Sequence, residues 1–256
     1  MDMMQNLKAG PPPAAPELVQ LAGVHKRHGQ GLAGVQALHD IDLTVAQGEM
    51  VAICGPCGSG KTSLLNIIGM LDTASEGSVI IARLLVSKMS DQARADLRSE
   101  MIGFVFQSYS LIPVMTAHEN VLLPLMLRGR LDEAALEEAE QRAADLLSRL
   151  GLATQMRHYP GRLDASQSQR VAIARSLVTH PRLVVADEPT SRLDNGCVRL
   201  VMDLFARHQY EHGTAFVLST RDQRQFSRVT RTLQLTEGRL AGTPLEARRR
   251  PLRVQV

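Results

Sequence analysis

The chain has 256 residues, 44% hydrophobic and 21% charged. That length holds one domain, or one domain with a subdomain, around a full core, and the balance excludes the disordered and fibrous classes. A formal net charge of +3, aromatics at 3% and no tryptophan argue against a nucleic-acid partner, although the sequence pI is about 9.0.

Residues 1–17 read as a disordered arm, rich in proline, alanine and glycine and without the apolar stretch of a secretory signal. Residues 18–21 and 41–45 alternate, which predicts strands of an antiparallel sheet with one wet face. Residues 50–54 are continuously apolar, as a buried parallel strand is. Glycine-rich sequence follows, then a predicted helix over 62–70 and short strands at 79–81 and 104–106. Between about 113 and 163 the period turns helical: Leu136, Ala139, Ala143, Leu146, Leu147 and Leu150 recur at threes and fours, and Gly151 supplies a stop. A helical subdomain over about 108–165 is expected, with Glu133, Glu137, Glu138, Glu140 and Arg142 on a solvated face.

A helix over 167–178 comes next, then a buried strand at 183–186 that ends in Asp187. Asn195 is expected to cap a helix running to about 209, with Val198, Val201, Leu204 and Phe205 inward. A third buried strand lies at 214–218. Strands alternating with helices predict an α/β core with a parallel sheet over 18–242. The tail 243–256, with Arg248, Arg249, Arg250 and Arg253, reads as a basic frayed end. No apolar run reaches the roughly 18 residues of a membrane span. Three cysteines make no disulfide framework, so a reducing cytoplasm is the default.

Gly55-Pro56-Cys57-Gly58-Ser59-Gly60-Lys61-Thr62 fits the phosphate-binding pattern G-x-x-x-x-G-K-[ST], with a strand before it and a helix after. Backbone N–H groups of such a loop, followed by Ser63 in the first turn, cradle an anion at a helix N-terminus. Lys61 neutralises charge between phosphates and the Thr62 hydroxyl ligates Mg²⁺. Only four of the 29 basic residues are lysines, so the match is hard to reach by chance. Cys54 and Cys57 also spell a C-x-x-C redox pair, but the phosphate loop explains more positions. Asp187-Glu188 at the end of a buried strand supplies the acids of a nucleotide hydrolase: Asp187 toward Mg²⁺, Glu188 as general base.

These residues resemble the ATP-binding subunits of ABC transporters, from about residue 18 to 240. Gly103-Phe104-Val105-Phe106-Gln107 resembles the Q-loop, which implies a role for Gln107 toward Mg²⁺ and the γ-phosphate. Ala186-Asp187-Glu188-Pro189-Thr190 resembles Walker B, and Ser191-Arg192-Leu193-Asp194 the D-loop. Asn66 to Asp72, Gly103 to Pro113, Glu119-Asn120-Val121 and Gly213 to Phe216 resemble the lipoprotein-releasing (LolD-type) and macrolide-exporter (MacB-type) ATPases. The resemblance implies an α/β P-loop NTPase (RecA-like) core with an antiparallel β subdomain and an α-helical subdomain. It also implies ATP and Mg²⁺ as cofactors and an FtsX-like integral membrane permease as partner. A head-to-tail homodimer or heterodimer on the cytoplasmic face of the inner membrane follows from the same resemblance.

Three places depart from the family pattern. The signature Leu-Ser-Gly-Gly-Gln is Leu163-Asp164-Ala165-Ser166-Gln167 here, so a negative charge stands where a serine meets the partner's γ-phosphate. The family's switch histidine is Arg221, which only donates hydrogen bonds. His28 stands where an aromatic stacks on adenine. An active or slow transport ATPase, and a degenerate subunit that binds ATP with little turnover, are both compatible with this pattern. A soluble ABC protein acting on nucleic acid fits the composition less well.

Overall fold

The computed structural model describes residues 16–29, 34–221 and 228–241. The elements run β1 (Glu17–His28), β2 (Val35–Ala46), β3 (Met50–Cys54), α1 (Lys61–Ile68), β4 (Glu76–Ile81), β5 (Leu84–Leu85), α2 (Asp91–Met101), β6 (Ile102–Val105) and α3 (Ala117–Leu127). They continue with α4 (Glu133–Arg149), α5 (Ala165–Leu177), β7 (Leu183–Asp187), α6 (Asn195–His212), β8 (Ala215–Ser219), β9 (Arg231–Thr236) and β10 (Arg239–Ala241).

Two sheets form. A four-stranded sheet has the order β2-β1-β4-β5, and a six-stranded sheet the order β10-β9-β3-β8-β7-β6. The first is antiparallel throughout. In the second every pair is parallel except β9 with β10. Ile41, Leu43 and Val45 are buried along β2 while Asp42 and Thr44 face solvent, which is the alternation of a one-sided sheet.

The six-stranded sheet is covered on both faces, and the period of two sorts its residues between two cores. Val51, Ile53, Leu183, Val185, Ala215 and Val217 pack with α1 and the antiparallel sheet. Met50, Val184, Ala186, Phe216 and Leu218 face the other way, against α3, α4, α5 and α6. At about 25 cal/mol per Å² of apolar area, such two-sided burial is the main term holding the strands in place. The ends of β3, β7 and β8 thereby become fixed points on one edge of the sheet, and the candidate site is built there.

Several expectations need correction. Asp194, not Asn195, caps α6: its carboxylate accepts the Cys197 N–H at 2.8 Å. Leu136 is exposed despite its place in the apolar repeat, because α4 turns its first turn outward beyond the buried Ala139, Ala143, Leu146 and Leu147. The strand expected at 104–106 ends at Val105, and Phe106 stacks on Phe104 with ring centres 5.4 Å apart. Four of these elements were not anticipated: the two-residue strand β5, α2, which is polar along most of its length and is capped by Ser90, and the two strands of the edge hairpin β9–β10. The expected arm and tail lie outside the described residues, save that Pro16 precedes β1 and Glu17 opens it.

Candidate nucleotide site

The loop between β3 and α1 is shaped by close approach. A Cβ on Gly55 would stand 2.1 Å from the Leu235 carbonyl oxygen, and one on Gly60 2.4 Å from that of Ala37. Gly60 also holds φ +100 as it caps α1, a conformation that favours glycine. Leu235 lies on β9, so the unanticipated strand forms a wall of the loop. The Lys61 ammonium, nearly buried, donates to the carbonyls of Gly55 at 2.9 Å and Pro56 at 2.7 Å. Both partners are neutral, and a phosphate oxygen is the stronger acceptor for the same group. His28, at the end of β1, places Nε2 3.0 Å from Ser63 Oγ on α1, which brings its ring beside the loop.

From α1 the site continues to the second and third strand ends. The Thr62 hydroxyl donates to Asp187 Oδ2 at 2.8 Å. The other oxygen, Oδ1, accepts from the Ser219 hydroxyl at the end of β8. Ser219 Oγ in turn accepts the backbone N–H of Glu188 at 2.8 Å. Ser219 was missed by sequence reading. It belongs to no local motif, and parallel register alone sets it opposite Asp187.

Glu188 holds φ +47, a strained region for a side-chain-bearing residue. Its carboxylate Oε1 meets Arg221 Nε at 2.7 Å, with the glutamate side chain 11% exposed and the arginine 53%. The expected general base is therefore already ion-paired.

The remaining expected residues stand apart. Gln107 is exposed beyond β6. Asp164 caps α5, accepting the Gln167 N–H at 2.7 Å, while the Gln167 side-chain oxygen accepts the Asp164 N–H at 3.0 Å. Leu163 precedes this cap, and Ser166 Oγ faces Cys197 Sγ at 3.9 Å. Among the described residues, no hydrogen bond or ion pair joins the side chains of Gln107 or Asp164 to Gln167 with the phosphate loop. An aspartate satisfies the helix N-terminus as well as a serine would, so α5 loses nothing by the exchange.

The segment after Gln107 is tied down by basic side chains. Arg175 on α5 donates to the carbonyls of Tyr109 at 2.8 Å and Ser110 at 2.9 Å. Arg192 lies over the Tyr109 ring, 5.2 Å from its centre. Cys54 closes β3 and does not open a helix, and burial pushes its thiol up to about 11 against the smaller opposing pull of Lys61. A redox nucleophile needs the reverse shift.

Known proteins match this arrangement. The "ABC transporter" family model matches residues 38–191. The lipoprotein-releasing system ATP-binding protein LolD of Bordetella avium is 41% identical over 215 residues, covering 84% of this chain and 92% of its own. LolD of Legionella pneumophila strain Paris is 39% identical over 217 residues, covering 85% and 94%. A solved dimeric ATP-binding cassette in a post-hydrolysis state, bound to ADP and Pi, superposes with a TM-score of 0.82 at 38% identity, covering 87% of this chain and 96% of that one. The chain belongs to the ABC transporter family, as one of its ATPase cassettes.

Proposed function

We propose that this cassette binds Mg²⁺-ATP at the β3–α1 loop and drives an FtsX-like integral membrane permease from the cytoplasmic face of the membrane, in lipoprotein release or a related export step. The observation that carries the reading is the continuous chain Thr62–Asp187–Ser219–Glu188 beside the Lys61 loop. The LolD relatives, named for lipoprotein release, supply the transport class. Among the described residues no helix is long and apolar enough to cross a membrane, so this reading takes the membrane path from a partner.

Each residue has a role in that reading. Residues 55–60 wrap the phosphates with backbone N–H groups, and Lys61 leaves its two carbonyls for phosphate oxygens. His28, beside Ser63, offers its ring to the adenine. The Thr62 hydroxyl and the Asp187 carboxylate, 2.8 Å apart, are the hard oxygen donors that Mg²⁺ favours. The ion, when bound, supplies charge neutralisation at the β- and γ-phosphates. Glu188 accepts the proton of the attacking water, and Gln107 approaches the γ-phosphate from the β6 side. Leu163 to Gln167 face the ATP held by a second subunit, as does Asp194 in the neighbouring D-loop. We assign residues 18–242 to the cassette and about 108–165 to its helical part.

A groove of about 370 Å³ lined by Phe106, Leu123, Leu127 and Arg175 adjoins the Gln107 segment. Leu127 is 77% exposed at its rim, and this is where we place the permease contact. Leu127→Glu should leave ATP binding intact and abolish permease-stimulated hydrolysis. Unchanged stimulation in that variant would remove the groove from the interface.

A second reading has its own observations: hydrolysis that is slow because Glu188 is ion-paired to Arg221 and Asp164 puts a negative charge before a phosphate. Steady-state phosphate release by the purified chain, alone and with its permease, is to be compared with Glu188→Gln. A rate well above that variant establishes the active ATPase. Equal rates establish the degenerate subunit.

A further inference from the structure

Three histidines outside the nucleotide site converge at the opposite edge of the parallel sheet. His180 sits in the turn between α5 and β7, and His208 and His212 lie one helical turn apart near the end of α6. One ligating atom from each lies within 4.8 Å of the other two. Ring centres are 4.0 Å apart for His180 and His212, 5.0 Å for His208 and His212, and 5.7 Å for His180 and His208. The strand β7 separates this cluster from Asp187 by its own length, about 15 Å at ~3.3 Å per residue.

We propose that His180, His208 and His212 bind one divalent transition-metal ion of the Zn²⁺ class, which staples the end of α6 to the α5–β7 turn. An imidazole pair at i and i+4 on one helix face plus a third ring from a nearby turn is a ligand set suited to Zn²⁺. His208 is 4% exposed, and its Nδ1 has no hydrogen-bond partner among the described residues. A buried ring nitrogen without a partner is costly, and a metal bond relieves that cost. His180 holds φ +47, a strained setting that carries its ring toward the helix pair.

The charges around the cluster are mixed, and the cations among them are held by carboxylates. Five charged groups face the cluster: Glu138, Glu211, Arg142, Arg149 and Arg207. Each arginine is already paired to a carboxylate, Arg142 to Glu138, Arg149 to Asp145 and Arg207 to Glu211. Burial, then the neighbouring His212, lowers His180 to about 4 and His208 to about 3. Tetrahedral Zn–N bonds of about 2.0–2.1 Å place ligand nitrogens about 3.3 Å apart. Ligation therefore draws the rings in by at most about 1.5 Å, which torsions of the partly exposed His180 and the exposed His212 can supply. Water completes the fourth position, since both nearby glutamates are ion-paired.

The test uses the full chain, tag removed and stripped with chelator, in a Cys57→Ser background that removes the exposed thiol. Zn²⁺ is titrated against a chromophoric chelator in excess Mg²⁺. One equivalent should bind and raise the Tm, and Co²⁺ should give a nitrogen/oxygen-type visible spectrum without thiolate charge transfer. His212→Gln and His180→Gln should keep the far-UV spectrum and weaken binding at least tenfold, whereas Asp187→Asn should bind as the parent does. His208 is buried and its replacement could unfold the chain, so the other two histidines are the ones substituted. No binding above the chelator overturns the proposal, and so does parental affinity in both His212→Gln and His180→Gln. A tenfold loss in Asp187→Asn would place the ion at the nucleotide site and overturn it equally.

Discussion

Arg221 Nε lies 2.7 Å from Glu188 Oε1, so the base expected to activate water is held by the residue expected, from the sequence, at the family's switch position. The guanidinium neutralises the carboxylate and occupies one of its oxygens, and it has no lone pair with which to accept a proton in exchange. Arg221→His removes the pair and restores a group that both donates and accepts. Turnover per subunit should rise by about a hundredfold, the lower end of what a positioned acid or base contributes. Phosphate release measured beside the double variant Arg221→His, Glu188→Gln separates this gain from contamination. A rate unchanged by Arg221→His would mean that the ion pair opens without cost when ATP binds.

Ser219 links the two acids. It donates to Asp187 and accepts from the Glu188 N–H, and it is fully buried. Ser219→Ala leaves that N–H and one carboxylate oxygen without their partner, a loss of about 1–3 kcal/mol. Chemical denaturation should report that loss as a lower midpoint at unchanged slope. The Michaelis constant for Mg²⁺-ATP should rise, because Asp187 loses one of the bonds that orient it. Ser219→Thr, which keeps the hydroxyl, should recover most of both.

Cys54 and Cys57 should behave as unrelated thiols. Burial raises Cys54 to about 11, so at pH 8 about one molecule in a thousand carries its thiolate. Cys57 is exposed. Iodoacetamide at pH 8 should label Cys57 within minutes and spare Cys54 in native protein, as read by peptide mass spectrometry. The Cys54 reaction should accelerate about tenfold per pH unit up to about 11. Rapid equal labelling, or a disulfide between the two, would revive the redox reading of this motif.

Local chemistry made much of this molecule legible. The phosphate loop, the apolar run before Asp187 and the heptad-like spacing of Ala139 to Leu147 each carry a signal within a dozen residues, and the structure has them as β3–α1, β7 and α4. What stayed hidden depends on partners far along the chain. β9 is polar at its start and is a strand because Arg231 to Gln234 pair with Val51 to Cys54. Ser219 is a site residue only through its register with Asp187. The Arg221–Glu188 pair joins two positions legible separately as departures and as Walker B, and its geometry comes from the β7 and β8 ends lying side by side. The three-histidine cluster likewise assembles across a helix and a turn.

Asp164 separates what a residue does for its own fold from what it does for a partner. Its side chain accepts the Gln167 N–H at 2.7 Å and completes a capping box on α5, a task serine performs equally well. Asp164→Ser should therefore leave the Tm unchanged, whereas Asp164→Ala should lose about 1 kcal/mol of stability. The charge matters only once a second subunit presents a γ-phosphate, where two anions in a poorly solvated interface repel by several kcal/mol. In a Glu188→Gln background, which removes the expected general base, the triple change Asp164→Ser, Ala165→Gly, Ser166→Gly should shift the chain from monomer toward dimer on adding ATP. Sedimentation velocity with and without nucleotide reads this directly. If the parent already dimerises with ATP as tightly as the triple variant, Asp164 does not face the phosphate and the signature loop is not where the two subunits meet.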